Sequence, residues 1–203
     1  AGGALTTGGD NTVVGSGALA TEDGNGQNVA IGSAALATLN AGADAANVAV
    51  GYQALTAATT GVDNVAVGAN AGDANTTGSD NTAIGDNALG ANTTADDNTA
   101  IGSSALLVNT TGASNTAVGA SALAAVTTGS NNIGVGKDAG LALTTGAHNV
   151  AIGKGALITT TTGNYNVAIG KEALRYNTTA DKNTAVGYIA LNANTTGAYN
   201  TAL

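Results

Sequence analysis

A pentapeptide of Asn, a β-branched residue, a small residue, Val or Ile, and Gly recurs along this 203-residue chain at a near-constant interval. Its Asn falls at Asn11, Asn28, Asn47, Asn64, Asn81, Asn98, Asn115, Asn132, Asn149, Asn166, Asn183 and Asn200. Every step is 17 residues except the 19 from Asn28 to Asn47. A unit this short cannot bury a core alone, so successive units must stack and share one. The repeat covers residues 1–203 as a single array. It begins and ends inside a repeat, as a segment cut from a longer fibre would.

With the Asn numbered position 1, position 2 is Thr, Val or Ile in all twelve copies. Position 3 is Ala in ten, with Val13 and Gly134 the exceptions. Position 4 is Val or Ile and position 5 Gly, position 8 is Ala, and position 9 is Leu in nine of eleven copies, replaced by Gly72 and Gly140. Positions 13 to 15 usually read Thr-Thr-Gly, as in Thr110, Thr111 and Gly112.

This pattern reads as a strand over positions 2 to 4, a bend at Gly, a second short strand from position 8, and a turn. Gly, Thr and Asn at this density are costly in helices, which excludes a helical repeat. The fold expected is an all-β, parallel β-solenoid of about twelve coils. Bulk at positions 2 and 4 points inward by strand alternation, with Leu at position 9 meeting it. Val118, Leu123, Ile152 and Leu157 are then core residues. Gly72 and Gly140 thin the core, with Leu141 or Leu143 swinging in at the second. The two extra residues form a bulge in the turn after Leu36 and leave the strands in register. The repeated Asn bonds local backbone or stacks as an amide ladder.

Composition restricts function. The chain has no Pro, Cys, Met, Trp or Phe, and its net charge is −8. Five basic residues against thirteen acids do not make a nucleic-acid surface, which needs clustered cations. All five (Lys137, Lys154, Lys171, Arg175 and Lys182) lie after residue 136. No apolar run is long enough to insert in a membrane as a helix. Lys137, Lys154 and Lys171 fall at position 6 and stack on an exposed outward edge, where solvent screens their repulsion.

Residue types that carry chemistry are isolated. His148, the only histidine, has no Cys or second His to join it, and reads as a surface residue. Glu22-Asp23-Gly24-Asn25-Gly26-Gln27-Asn28 lacks the later bidentate acid of a calcium loop and reads as an irregular turn. Sequons at Asn75, Asn92, Asn109, Asn177 and Asn194 arise from the repeat and read as turn chemistry. Gly134-Val135-Gly136-Lys137 is periodic with no helix after it, unlike a phosphate loop. The sequence therefore assigns no catalytic, cofactor-binding or metal residue, and the chain is expected not to be an enzyme. Thr-Thr pairs in register leave an ice-binding solenoid as the alternative function.

Asn81-Thr82-Ala83-Ile84-Gly85 and Asn149-Val150-Ala151-Ile152-Gly153 resemble the signature of trimeric autotransporter adhesin heads, the YadA-like left-handed β-roll. Units such as Asn183-Thr184-Ala185-Val186-Gly187-Tyr188 with Asn194-Thr195-Thr196-Gly197 are similar to phage tail-fibre repeats. The resemblance implies a parallel homotrimer in an extracellular fibre, on a cell surface or a virion, holding a host-surface or matrix ligand. The repeat is longer than the units typical of such heads. The uncharged small-residue face at Ala83, Gly85, Ala100, Gly102, Ala117 and Gly119 is the contact expected between chains. The edge bearing Lys154, Tyr188 and Asp86 is then left for a ligand.

Overall fold

The computed structural model describes residues 9–21, 26–42 and 44–203. Among these residues twelve short strands run from β1 (Thr12–Val14) and β2 (Val29–Ile31) to β12 (Thr201–Ala202), one per repeat at positions 2 to 4. Each pairs in parallel with its sequence neighbour, making one sheet in chain order. Equivalent residues sit opposite one another, as in Thr82↔Thr99, Ala83↔Ala100 and Ile84↔Ile101. The chain is a parallel β-solenoid of about eleven turns, and no helix occurs among the described residues. At about 4.8 Å per turn it is roughly 50 Å long.

The strand faces are the reverse of the expected ones. Position 3 is inside: Ala30, Ala49, Ala66, Ala100 and Ala117 are fully buried. Positions 2 and 4 look outward; Ile152 is 37% exposed and Val118 is half-buried, so neither is a core residue. Leu123 and Leu157 are buried as expected. The reason is space. A Cβ on Gly134 would stand 2.7 Å from Leu123 Cγ, so the position 9 Leu already occupies the room facing the strand. A thin coil holds one large residue across its width, and the strand facing it must be small. Ala83, Ala100 and Ala117 thus pack inside their own chain and cannot line a contact with another.

The second strand is not formed. Ala105 and Leu106 are consecutive and both buried, whereas neighbours in a strand point to opposite faces. The backbone turns instead, with left-handed residues at positions 7 and 9 (Ser104 φ 58°, Leu106 φ 50°). For Leu this conformation costs about 1–2 kcal/mol. Burying the side chain returns roughly 1.5–3 kcal/mol, and the amide still donates to the next coil, Leu106 N–H to Ala122 O at 3.1 Å.

Gly72 and Gly140 adopt the same φ, 58° and 61°, without that backbone cost. The Leu of the preceding coil leans into each gap. A Cβ on Gly72 would lie 3.0 Å from Leu55 Cδ2, and one on Gly140 2.6 Å from Leu123 Cδ2. Leu143, at position 12, is buried beside the second gap, while Leu141 stays half-buried. There the apolar core divides into a cluster with Leu123, Val126 and Leu143 and another with Ala139, Leu157 and Leu174.

Asn supplies the polar half of the interior. Asn47 Oδ1 accepts from the Asn64 backbone N–H at 2.9 Å and its Nδ2 at 3.1 Å, and Asn64 Nδ2 also donates to Gly78 O at 2.9 Å. Repeated along the rod, this is the amide ladder expected for position 1. A second, unexpected column stands at position 12. Asn92 Nδ2 donates to Asn75 Oδ1 at 3.1 Å, and Asn75 Nδ2 to Gly78 O at 2.9 Å. Asn109 Oδ1 ends that column without a donor, because Val126 holds the next place.

The two-residue insertion is absorbed outside the sheet. Asn40 N–H still donates to Thr59 O, and β2 pairs in register with β3 (Val48–Val50), so the extra length falls between Asn40 and Ala45.

Candidate functional site: an uncharged sheet face between two polar columns

The outward sheet face is built by positions 2 and 4. It carries Thr82, Thr99, Thr116 and Val150 in one column and Ile84, Ile101, Val118 and Ile152 in the other. No charged residue interrupts either column over the twelve repeats. Most position 4 residues keep about a third of their surface exposed, Ile31, Ile84, Ile101 and Ile169 among them. Two columns about 7 Å apart thus form a straight stripe roughly 50 Å long. Contiguous apolar patches of that extent on a soluble protein mark interaction surfaces.

Polar columns border the stripe. Beyond Gly at position 5, position 6 carries exposed Tyr52, Asp86, Lys137, Lys154, Lys171 and Tyr188. On the other side, before the Asn, position 17 carries exposed Asp63, Asp80, Asp97, His148, Tyr165, Lys182 and Tyr199. Acids and Tyr52 therefore border the early coils, and cations with three tyrosines the late ones. His148 and Tyr165 stack with centroids 4.9 Å apart and planes 3° from parallel. Lys171 Nζ lies 5.5 Å from the centre of the Tyr188 ring. Lys182 Nζ lies 5.1 Å from that of Tyr199 and donates to its hydroxyl at 3.2 Å, a bond that raises the Lys182 pKa above its ordinary value. Arg175 is also held protonated, first by its hydrogen bond to Glu172, 2.9 Å away.

Other candidates resolve simply. The sequon residues Asn75, Asn92, Asn109 and Asn177 are buried in the position 12 column, with their amides turned into the coil. The first Thr of each pair spends its hydroxyl on the next coil, as in Thr76 Oγ1 to Thr93 O at 2.9 Å and Thr110 Oγ1 to Thr127 O at 3.0 Å. The second Thr, such as Thr77 or Thr111, stands exposed, as does Thr59 among the first, in a bend rather than on the sheet. Gly134 is buried in the sheet facing Leu123, and Lys137 is exposed on the edge. Of the acidic turn, residues 22–25 lie outside the described residues. No group of three His, Cys, Asp or Glu stands close enough to hold a metal among the described residues, and no helix is long and apolar enough to cross a membrane.

Sequence reasoning placed the exposed edge correctly and missed the stripe. The signal was present: ten Ala at position 3, facing an inward Leu, specify a narrow interior that excludes Val and Ile. Likewise position 12 varies among Leu39, Asn92, Val126, Leu143 and Thr160 and, after Glu22 in the first copy, carries no charge, the mark of an inward site. No protein-family model, curated protein or solved structure matches this chain.

Proposed function

We propose that the chain is a structural and adhesive segment of an extracellular fibre, in which three copies bundle in parallel as left-handed β-rolls. Their Thr/Val/Ile sheet faces turn toward a common axis. The supporting observation is the uncharged stripe itself, β-branched at position 2 in every repeat, with Val or Ile at position 4 of every complete one, and continuous along the rod. Fully burying a Val or Ile side chain is worth about 1.5–3 kcal/mol. The third still exposed at position 4 is then worth about 0.5–1 kcal/mol per residue, and eleven coils supply on the order of 5–10 kcal/mol per chain. A stiff, non-catalytic rod with its polar columns left outside suits attachment.

The absence of cysteine makes a direct test available. Ile101→Cys should give chains linked by a disulfide under mild oxidation, because parallel in-register packing brings the three copies of this position together. Ser114→Cys, on the outer border, should stay reduced. Equal cross-linking of both variants, or of neither, would refute the arrangement. The alternative, an ice-binding solenoid that uses its Thr-Thr rows as an unassembled chain, would be seen as thermal hysteresis.

A further inference from the structure

The late coils present a surface that the fibre reading alone does not explain. From Asn132 onward the two border columns hold Lys137, Lys154, Lys171 and Tyr188 on one side and His148, Tyr165, Lys182 and Tyr199 on the other, all exposed. Neither column contains an acid over these coils. The acids nearby, Asp138, Glu172 and Asp181, belong to neighbouring positions. The same columns earlier carry Asp63, Asp80, Asp86 and Asp97 and no cation. Four of the five tyrosines share the late coils. Tyr165, with a coil on either side of it, is 55% exposed, and such a half-apolar, half-polar surface suits a ligand.

We propose that these columns bind a linear acidic polysaccharide, laid along the rod axis over the last four or five coils. Successive rungs are about 4.8 Å apart, close to the advance of an extended polysaccharide per sugar ring. The tyrosine hydroxyls and exposed ring edges meet the sugars, and the lysines of the same columns meet carboxylate or sulfate groups. Stacking within the columns, His148 on Tyr165 and lysines over Tyr188 and Tyr199, holds these groups in place before a ligand arrives. The ordering cost on binding is correspondingly smaller. Acids on the earlier coils repel the polymer and confine it to the late ones. Nucleic acid fits less well, because four lysines across two columns cannot neutralise its dense phosphates. This proposal rests on the adhesive part of the reading above. In a parallel trimer the two columns come from neighbouring chains and line one groove.

The test is immobilised polygalacturonate and dextran sulfate, with uncharged dextran and oligo(dT) as controls, measured at two salt concentrations. Retention on one or both acidic polymers and not on dextran is expected. Tyr165→Asn with Tyr199→Asn should weaken it about tenfold or more. Asn is chosen because both sites are left-handed, φ 56° and 60°, a conformation it tolerates. Lys154→Gln with Lys171→Gln should weaken it and flatten the salt dependence, and Tyr52→Ala should leave it unchanged. No binding to either acidic polymer, full retention after both Tyr substitutions, or tighter binding to oligo(dT) would overturn the proposal. A monomer that still binds the acidic polymers would sink the trimer and spare the site. A trimer that binds neither would do the opposite.

Discussion

Substituting Gly102 by Ala probes the most exacting contact in the coil. Gly102 has φ 135°, and an added Cβ would stand 2.6 Å from Gly119 C, 2.7 Å from its O and 3.0 Å from Ala120 N. All three are backbone atoms of the next coil, so no side chain can rotate away. Holding a residue with a Cβ in this region costs about 1–3 kcal/mol. Relieving the overlap must push adjacent coils apart and forfeit neighbouring bonds such as Gly119 N–H to Ile101 O at 2.7 Å, each worth about 1 kcal/mol. Together roughly 3–5 kcal/mol is expected. Gly17→Ala is the control. It also has positive φ, 67°, but nothing lies within 4 Å of its Cβ, so only the local cost of about 1–2 kcal/mol applies. Urea unfolding followed by circular dichroism compares them, with local amide exchange showing whether coils next to the substitution open separately. Equal losses in the two variants would refute the stacking argument.

Three further outcomes follow from the packing. Leu106→Ala should cost about 2–5 kcal/mol, while Ile101→Ala, on the outer face, should cost under about 1 kcal/mol in the unassembled chain; thermal denaturation ranks them, and the reverse order would restore the register first read from the sequence. Val126→Asn gives Asn109 Oδ1 a donor but turns its own Oδ1 toward Leu143, which has none to offer, so the unpaired acceptor moves one coil along and about 1.5 kcal/mol of apolar burial is lost; a loss of about 1–2 kcal/mol is expected, and a gain, or a loss above about 4 kcal/mol, would count against the column. Burial raises the Asp73 carboxyl above its ordinary 3.8, against weaker lowering by its own amide and that of Ala74. Its contribution is therefore fully present below the unfolded pKa and lost as pH rises through the folded one. Asp73→Asn should raise the melting temperature slightly at pH 7 and not at pH 3, and the opposite trend would contradict the assignment.

The array was legible because one Asn-initiated pentapeptide fixes the period, and because Asn side chains at a constant spacing can only stack. The strand faces were misread because alternation identifies two faces without saying which is inside. Hydrophobic bulk at Ile101 and Ile152 argued for the interior. Leu106 and Leu157, opposite, had already filled it. The stretch at Ala105–Leu106 looked like a strand by composition, yet two consecutive inward residues require a left-handed turn. At position 12, Asn75, Asn92 and Asn109 read as turn residues in the sequence, whereas their amides form the second ladder. The border columns followed directly, since charge in a narrow coil has nowhere to go but out.

Mass in solution, by light scattering or native mass spectrometry on the unmodified chain, tests the role of the sheet face most directly. Three chains of 19.0 kDa in one particle are expected, falling to single chains when Ile84 and Ile101 are replaced by Lys. A folded particle of 19.0 kDa from the unmodified chain, unchanged by those substitutions, would contradict the account.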